Sequence, residues 1–142
     1  MMIADIMTRN PVTILSNRTL REALEAMEAN EFHHLPVISP NRHLVGIITA
    51  RDCRLALKLP DVSPEYWRDH DIGHDVLVSS IMSVAPIVAA PETTIVEASW
   101  LMVTNYVSCL PVMLEETLIG IVTLTDVLIS FIKMHDTNDP SR

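Results

Sequence analysis

Glycine is scarce in this chain: three among 142 residues, at positions 46, 73 and 120. No glycine-rich phosphate loop can be built from so few. Neither G-x-x-x-x-G-K-[ST] nor G-x-G-x-x-G occurs, and the catalytic motifs G-x-S-x-G and H-E-x-x-H are missing too. Cysteine is equally sparse. Cys53 and Cys109 have no metal-ligand spacing and suggest no disulfide framework, so a reducing cytoplasm is the default location. Basic residues are outnumbered, ten Lys and Arg against eighteen Asp and Glu. The formal charge of −8 argues against a nucleic-acid partner, which requires a basic face. Long apolar runs are also missing. The nearest, 118–132, carries Asp126 and is too short to span a bilayer, which argues against a membrane partner. Asp5 and Arg9 interrupt any signal-peptide core. With 49% apolar and 20% charged residues, the composition is that of a soluble globular protein. The length suits one compact unit or two small halves sharing a core.

Two of the three glycines open near copies of one phrase, GIITARD at 46–52 and GIVTLTD at 120–126. The repetition extends further. Ile6-Met7 recurs as Ile81-Met82, Pro11 as Pro86, and Leu35-Pro36-Val37 as Leu110-Pro111-Val112, each 75 residues apart. The glycines are 74 apart, so one residue is missing between Pro-Val and Gly in the second copy. A hairpin loop tolerates such a change. Thr19-x-x-Glu22 and Thr94-x-x-Glu97 predict capping boxes. Leu20, Ala23, Leu24 and Met27 follow at helical spacing, as do Ile95, Ala98 and Met102, with Ser99 in place of the second leucine. Strands are expected at 34–38 and 44–49, and at 109–114 and 118–123, with a short extended piece at 12–14 and at 87–88. A closing helix follows each aspartate. Each repeat reads β-α-β-β-α, an α+β fold with the two repeats packed sheet to sheet and helices outside. The boundaries read 1–58 for the first repeat, 59–78 for a connector, 79–135 for the second repeat and 136–142 for a tail. Within the connector a partly helical stretch is expected from Pro64, with Trp67 packed on the body or at a subunit contact.

Taken in order, IMT-x-x-P-V-T, the capped helix, HHLPV, the hairpin and G-h-h-T-x-x-D resemble the cystathionine β-synthase (CBS) domain. Two copies in tandem resemble the paired Bateman module, over almost the whole chain. The resemblance implies a pseudo-two-fold pair with clefts that bind AMP, ADP, ATP or S-adenosylmethionine as regulatory ligands, with no cofactor required. It places the ribose-binding aspartates at Asp52 and Asp126, nearby hydroxyls at Thr49 and Thr123, and variable positions at Arg51 and Thr125. It also implies composite clefts. One combines Thr49, Arg51 and Asp52 with Ile87, Val88, Ser108 and Cys109; the other combines Thr123, Thr125 and Asp126 with Val12, Thr13, His33 and His34. Ser108-Cys109 departs from the basic or aromatic residues common there.

The residue types suit such ligands. A carboxylate accepts both ribose hydroxyls with charge-assisted bonds, threonine can donate to phosphate or ribose oxygen, and both sit at a helix start that favours an anion. Ile47, Ile121, Val12 and Val88 can form an apolar slot for adenine. Thr-x-x-Asp is equally what a helix needs to start, so capping alone stays open. His70 and His74 have the spacing of two metal ligands on one helical turn, yet Gly73 between them disfavours a helix.

The span 79–132 contains no Lys, Arg or His. Cations near bound phosphate are therefore expected from Arg51 in the Asp52 cleft, and from His33 and His34 in the Asp126 cleft. So little positive charge favours AMP over ATP. The expectation is a non-enzymatic, homodimeric sensor acting on a separate effector protein. An interaction module with vestigial clefts is the alternative, and an enzyme the third class.

Overall fold

Helix starts follow the capping threonines. The computed structural model describes residues 1–58 and 72–136. Its α1 (Leu20–Asn30) begins after Thr19, whose hydroxyl accepts the Glu22 N–H at 3.2 Å. After Thr94 comes a helix over Ile95–Asn105, opened by a full reciprocal box: the Thr94 hydroxyl accepts the Glu97 N–H and the Glu97 carboxylate accepts the Thr94 N–H, both at 3.1 Å. The expected box at Thr19 is one-sided. The Glu22 carboxylate meets the Thr19 hydroxyl at 3.3 Å and Arg18 at 3.4 Å.

Two compact units result, and they do not coincide with the two repeats. The first unit is Val12–Pro86; the second is Met1–Pro11 together with Ile87–Arg142. The first unit contains β2 (Ile14–Leu15), α1, β3 (His34–Ile38), β4 (Leu44–Thr49), α2 (Ala50–Ala56), α3 (Val78–Ile81) and β5 (Ser83–Val84). Its sheet runs β2-β3-β4-β5, with β2 parallel to β3 and the other pairs antiparallel. Leu20, Leu24, Met27, Leu35, Val37 and Ile48 form its core. The second unit contains a 3-10 turn (Ile3–Asp5), β1 (Thr8–Arg9), α4 (Ile95–Asn105), β6 (Cys109–Leu114), β7 (Thr117–Thr123) and α5 (Leu124–His135). Its sheet runs β1-β7-β6, over a core of Ile3, Ala98, Met102, Leu110, Val112 and Val122. The one-residue difference between repeats lies in the hairpin loop, between Ile38 and Leu44 in one unit and between Leu114 and Thr117 in the other.

Each unit thus joins the body of one repeat to the leading segment of the other. In the second unit the Ile95 N–H at the start of α4 donates to the Met1 carbonyl at 3.2 Å, and the Ile3 N–H donates to Thr93 at 2.8 Å. In the first, the Leu20 N–H at the start of α1 donates to Val76 at 2.8 Å, and the Arg21 N–H to Gly73 at 3.1 Å. These bonds satisfy donors that every helix start leaves without an intrahelical partner.

The repeated glycines belong to this exchange. A Cβ on Gly120 would lie 2.6 Å from the Met7 sulfur and 3.0 Å from the Thr8 carbonyl oxygen. On Gly46 it would lie 2.7 Å from both the Met82 sulfur and the Ser83 carbonyl oxygen. Each leading methionine therefore seats on the glycine of the opposite repeat, beside a short edge strand whose pairing no alternating pattern announces.

Three expectations shift. The extended piece at 12–14 forms a strand at Ile14–Leu15, and at 87–88 no strand forms, only a parallel bridge from Ala89 to Val112. Residues 72–78, expected in the connector, are bonded onto α1 as described. The connector features Pro64, Tyr66, Trp67 and His70, and the tail beyond 136, lie outside the described residues. Among those described, no helix is long and apolar enough to cross a membrane.

Candidate functional site

Both Thr-x-x-Asp motifs sit where the hairpin's second strand turns into a helix. The Thr49 hydroxyl accepts the Asp52 N–H, and the Asp52 carboxylate accepts the Thr49 N–H, each at 3.0 Å. In the second unit the Thr123 hydroxyl accepts the Asp126 N–H at 3.2 Å, while the Asp126 carboxylate accepts the Thr123 N–H at 2.8 Å and its hydroxyl at 3.0 Å. The capping role is therefore realised at both motifs. The two aspartates hold equivalent places in their own units and are partly exposed. Arg51 and Thr125, one residue earlier, are exposed; Ile47 and Ile121, on the preceding strands, are buried.

The neighbours of each aspartate correct the expected grouping. His34 pairs with Thr49 across β3 and β4, and the His33 carbonyl accepts the Ala50 N–H at 2.9 Å. Cys109 pairs with Thr123, and the Ser108 carbonyl accepts the Leu124 N–H at 2.8 Å. Within each unit, then, the residues before Leu-Pro-Val flank the aspartate of their own repeat. The histidines belong beside Asp52, with Val12 and Thr13 in the same unit; Ser108 and Cys109 belong beside Asp126, with Ile87 and Val88 in theirs. The hairpin imposes this, because antiparallel pairing brings the start of its first strand opposite the end of its second.

Electrostatics follow that arrangement. Partial burial, reinforced by His33, pulls the His34 pKa below 6.5, with Asp52 opposing. Burial pushes the Cys109 thiol up to about 12, helped by Asp126, and the Cys53 thiol likewise to about 12. Neither cysteine carries thiolate chemistry near neutral pH.

A cavity of about 390 Å³ in the second unit is lined by Asp5, Ile6, Asp126, Ile129, Ser130 and Lys133. It supplies the cation that the Asp126 site lacked in the sequence reading. Lys133 lies one residue beyond the span free of basic side chains, and Asp126, Ile129, Ser130 and Lys133 recur at the spacing of one helix face. That signal was legible. Asp5, from the leading segment, had no local signal. Its carboxylate accepts the Met2 N–H at 2.8 Å, and the buried Ser130 hydroxyl donates to the Val127 carbonyl at 2.7 Å. Two carboxylates and one ammonium make this cavity a poor host for several phosphates. His74 is exposed, and among the described residues no group of three His, Cys, Asp or Glu could hold a metal ion.

Comparison with known proteins gives a consistent result. The sequence matches the CBS domain twice, over residues 3–59 and 78–133. A CBS domain-containing protein of Dictyostelium discoideum is 37% identical over 141 residues, covering 98% of this chain and 97% of that one. An inosine-5'-monophosphate dehydrogenase of Thermoplasma acidophilum matches over 61 residues at 38% identity, only 13% of the enzyme's length. Among solved structures, CBSX2 in complex with AMP superposes with a TM-score of 0.74 at 26% identity, covering 94% of this chain and 97% of that one. The CBS domain pair of protein MJ0100, in complex with 5-methylthioadenosine and S-adenosyl-L-methionine, gives 0.76 at 24% identity, over 94% and 98%.

Proposed function

The chain belongs to the CBS-domain family, and on that premise we propose that it is a regulatory module that binds an adenosine nucleotide, AMP favoured, at its Thr-x-x-Asp sites. One observation carries the reading: a threonine and an aspartate recur at the same strand-to-helix turn in both units, each partly exposed. A carboxylate at that turn can accept both ribose hydroxyls, and the AMP complex of CBSX2 supports the ligand class. Local charge favours a monophosphate. Lys133 faces Asp5 and Asp126 across one cavity, while Arg51 and the histidines serve Asp52. ADP, ATP and S-adenosylmethionine are the competing ligands.

In this reading the module catalyses nothing, needs no cofactor, works as a homodimer in the cytoplasm and signals to a separate effector protein. The dehydrogenase match covers too little of that enzyme to bring its chemistry along. An interaction module with empty clefts is the second reading, favoured by the capping bonds that already occupy both aspartates. Isothermal titration with AMP, ADP, ATP and S-adenosylmethionine decides between them, on wild type and on Asp52→Ala and Asp126→Ala. Saturable AMP binding that weakens in at least one variant is expected. No binding of any of the four ligands would favour the second reading.

A further inference from the structure

The helices of the two units differ on one face in a way their shared fold does not require. On α4, Val96, Trp100 and Val103 are 67%, 64% and 65% exposed, and their spacing puts them in one stripe. On α5, Leu128, Phe131 and Ile132 are more than half exposed. A groove of about 620 Å³ between these helices is lined in part by Val96, Ser99, Trp100, Phe131, Met134 and His135. The Phe131 and His135 rings stack at 4.4 Å on its wall.

The first repeat is an internal control. The positions 75 residues before Val96, Trp100 and Val103 are Arg21, Glu25 and Glu28. Those 74 before Leu128 and Ile132 are Arg54 and Lys58. Arg21 and Glu25 even pair at 3.1 Å. Five charged positions in one repeat are thus apolar in the other. An apolar helix face turned outward needs a partner.

We propose that the partner is a second copy of this chain, and that the dimer is isologous, joining the α4/α5 face of one second unit to the same face of the other. This sharpens the homodimer of the reading above and does not depend on its ligand. Charge decides the occupant. Set against the first unit's helices, this face would strand Arg21, Glu25, Glu28, Arg54 or Lys58 in an apolar interface. Against itself it strands none of them, as a two-fold contact requires of one patch. Residues 137–142 bring no large apolar side chain to cover it. The exposed apolar side chains sum to an area on the order of 600–800 Å², above the largest patch of a typical monomer and near the share of each partner in a standard interface.

Sedimentation velocity of the full chain without nucleotide, from about 1 to 100 μM, tests this. Wild type is expected to run as a dimer. Trp100→Glu, which sets a charge in each copy of the face, should weaken dimerisation by at least about 30-fold, the loss of a tryptophan hot spot. Glu25→Arg, on the first unit, should leave it unchanged. Should Trp100→Glu fail to fold by circular dichroism, cross-linking replaces it. Val103→Cys should form a covalent dimer with a bis-maleimide, whereas Glu28→Cys should not. A monomeric wild type overturns the proposal, as does a dimer that survives Trp100→Glu, dissociates with Glu25→Arg or cross-links only through position 28. A monomer that sediments with phosphatidylglycerol vesicles would assign the face to a membrane surface instead.

Discussion

The Asp126 carboxylate accepts hydrogen bonds from both the backbone N–H and the hydroxyl of Thr123, at 2.8 and 3.0 Å, while the Thr123 hydroxyl accepts the Asp126 N–H at 3.2 Å. One pair of residues thus starts α5 and presents a carboxylate beside a cavity. Capping and ligand binding share the same atoms, so a substitution must be read in both stability and affinity.

Asp126→Ala removes the cap and is expected to cost about 0.5–2 kcal/mol of stability. If the carboxylate also holds ribose, each lost charge-assisted bond should cost binding about 1.5–3 kcal/mol more. Denaturant unfolding and calorimetry on the folded variant separate the two. Unchanged AMP affinity would reduce Asp126 to a cap.

Lys133→Met removes the ammonium that shares the Asp126 cavity. Binding of AMP at that site should weaken by about 1.5–3 kcal/mol, the value of a hydrogen bond to a charged group. Binding of adenosine, which has no phosphate, should hardly change. Equal losses for both ligands would show that Lys133 does not meet the phosphate.

His34 makes stability depend on pH. Its folded pKa lies below 6.5, so the unfolded chain takes up a proton first as pH falls. The stability from the neutral, half-buried ring is fully present above about 6.5 and is lost as pH falls through the folded value. Urea unfolding at about pH 7.5 and 5.5 should show lower stability at the acid value, and His34→Gln should flatten the difference. A bound phosphate beside Asp52 would favour the charged rings of His33 and His34. Proton uptake on AMP binding near pH 6 is therefore expected at that site, rather than at Asp126.

Gly120→Ala pushes a methyl group into the Met7 sulfur. Overpacking of this kind costs about 1–3 kcal/mol. Met7→Ala should recover part of that loss when combined with Gly120→Ala, because the clash and the void offset each other. Additive losses in this double-mutant cycle would mean that Met7 does not seat on Gly120.

Much of this was legible in the chain. The 75-residue offset of Ile-Met, Leu-Pro-Val and Thr-x-x-Glu located both repeats, because apolar spacing and capping chemistry are local. The capping pairs Thr49–Asp52 and Thr123–Asp126 were read for the same reason. Lys133 was missed although its spacing from Asp126 was visible. The regrouping of His33 and His34 beside Asp52 could also have been derived from the hairpin, whose antiparallel register sets His34 opposite Thr49.

By itself the sequence determined what depends on neighbours within about one helix or one hairpin: the repeat, the helix starts, the paired strands and the two aspartates at their turns. The exchange of leading segments was decided only in three dimensions. Met7 reaches Gly120, and Ile95 bonds to Met1, across more than ninety residues in each case. Two-residue strands such as β1 and β5 carry no periodicity to announce such pairings. The same holds for Asp5 beside Asp126, which share a cavity because the leading segment packs on the second unit's core through the fully buried Ile3. Long-range burial, not local propensity, selects those contacts.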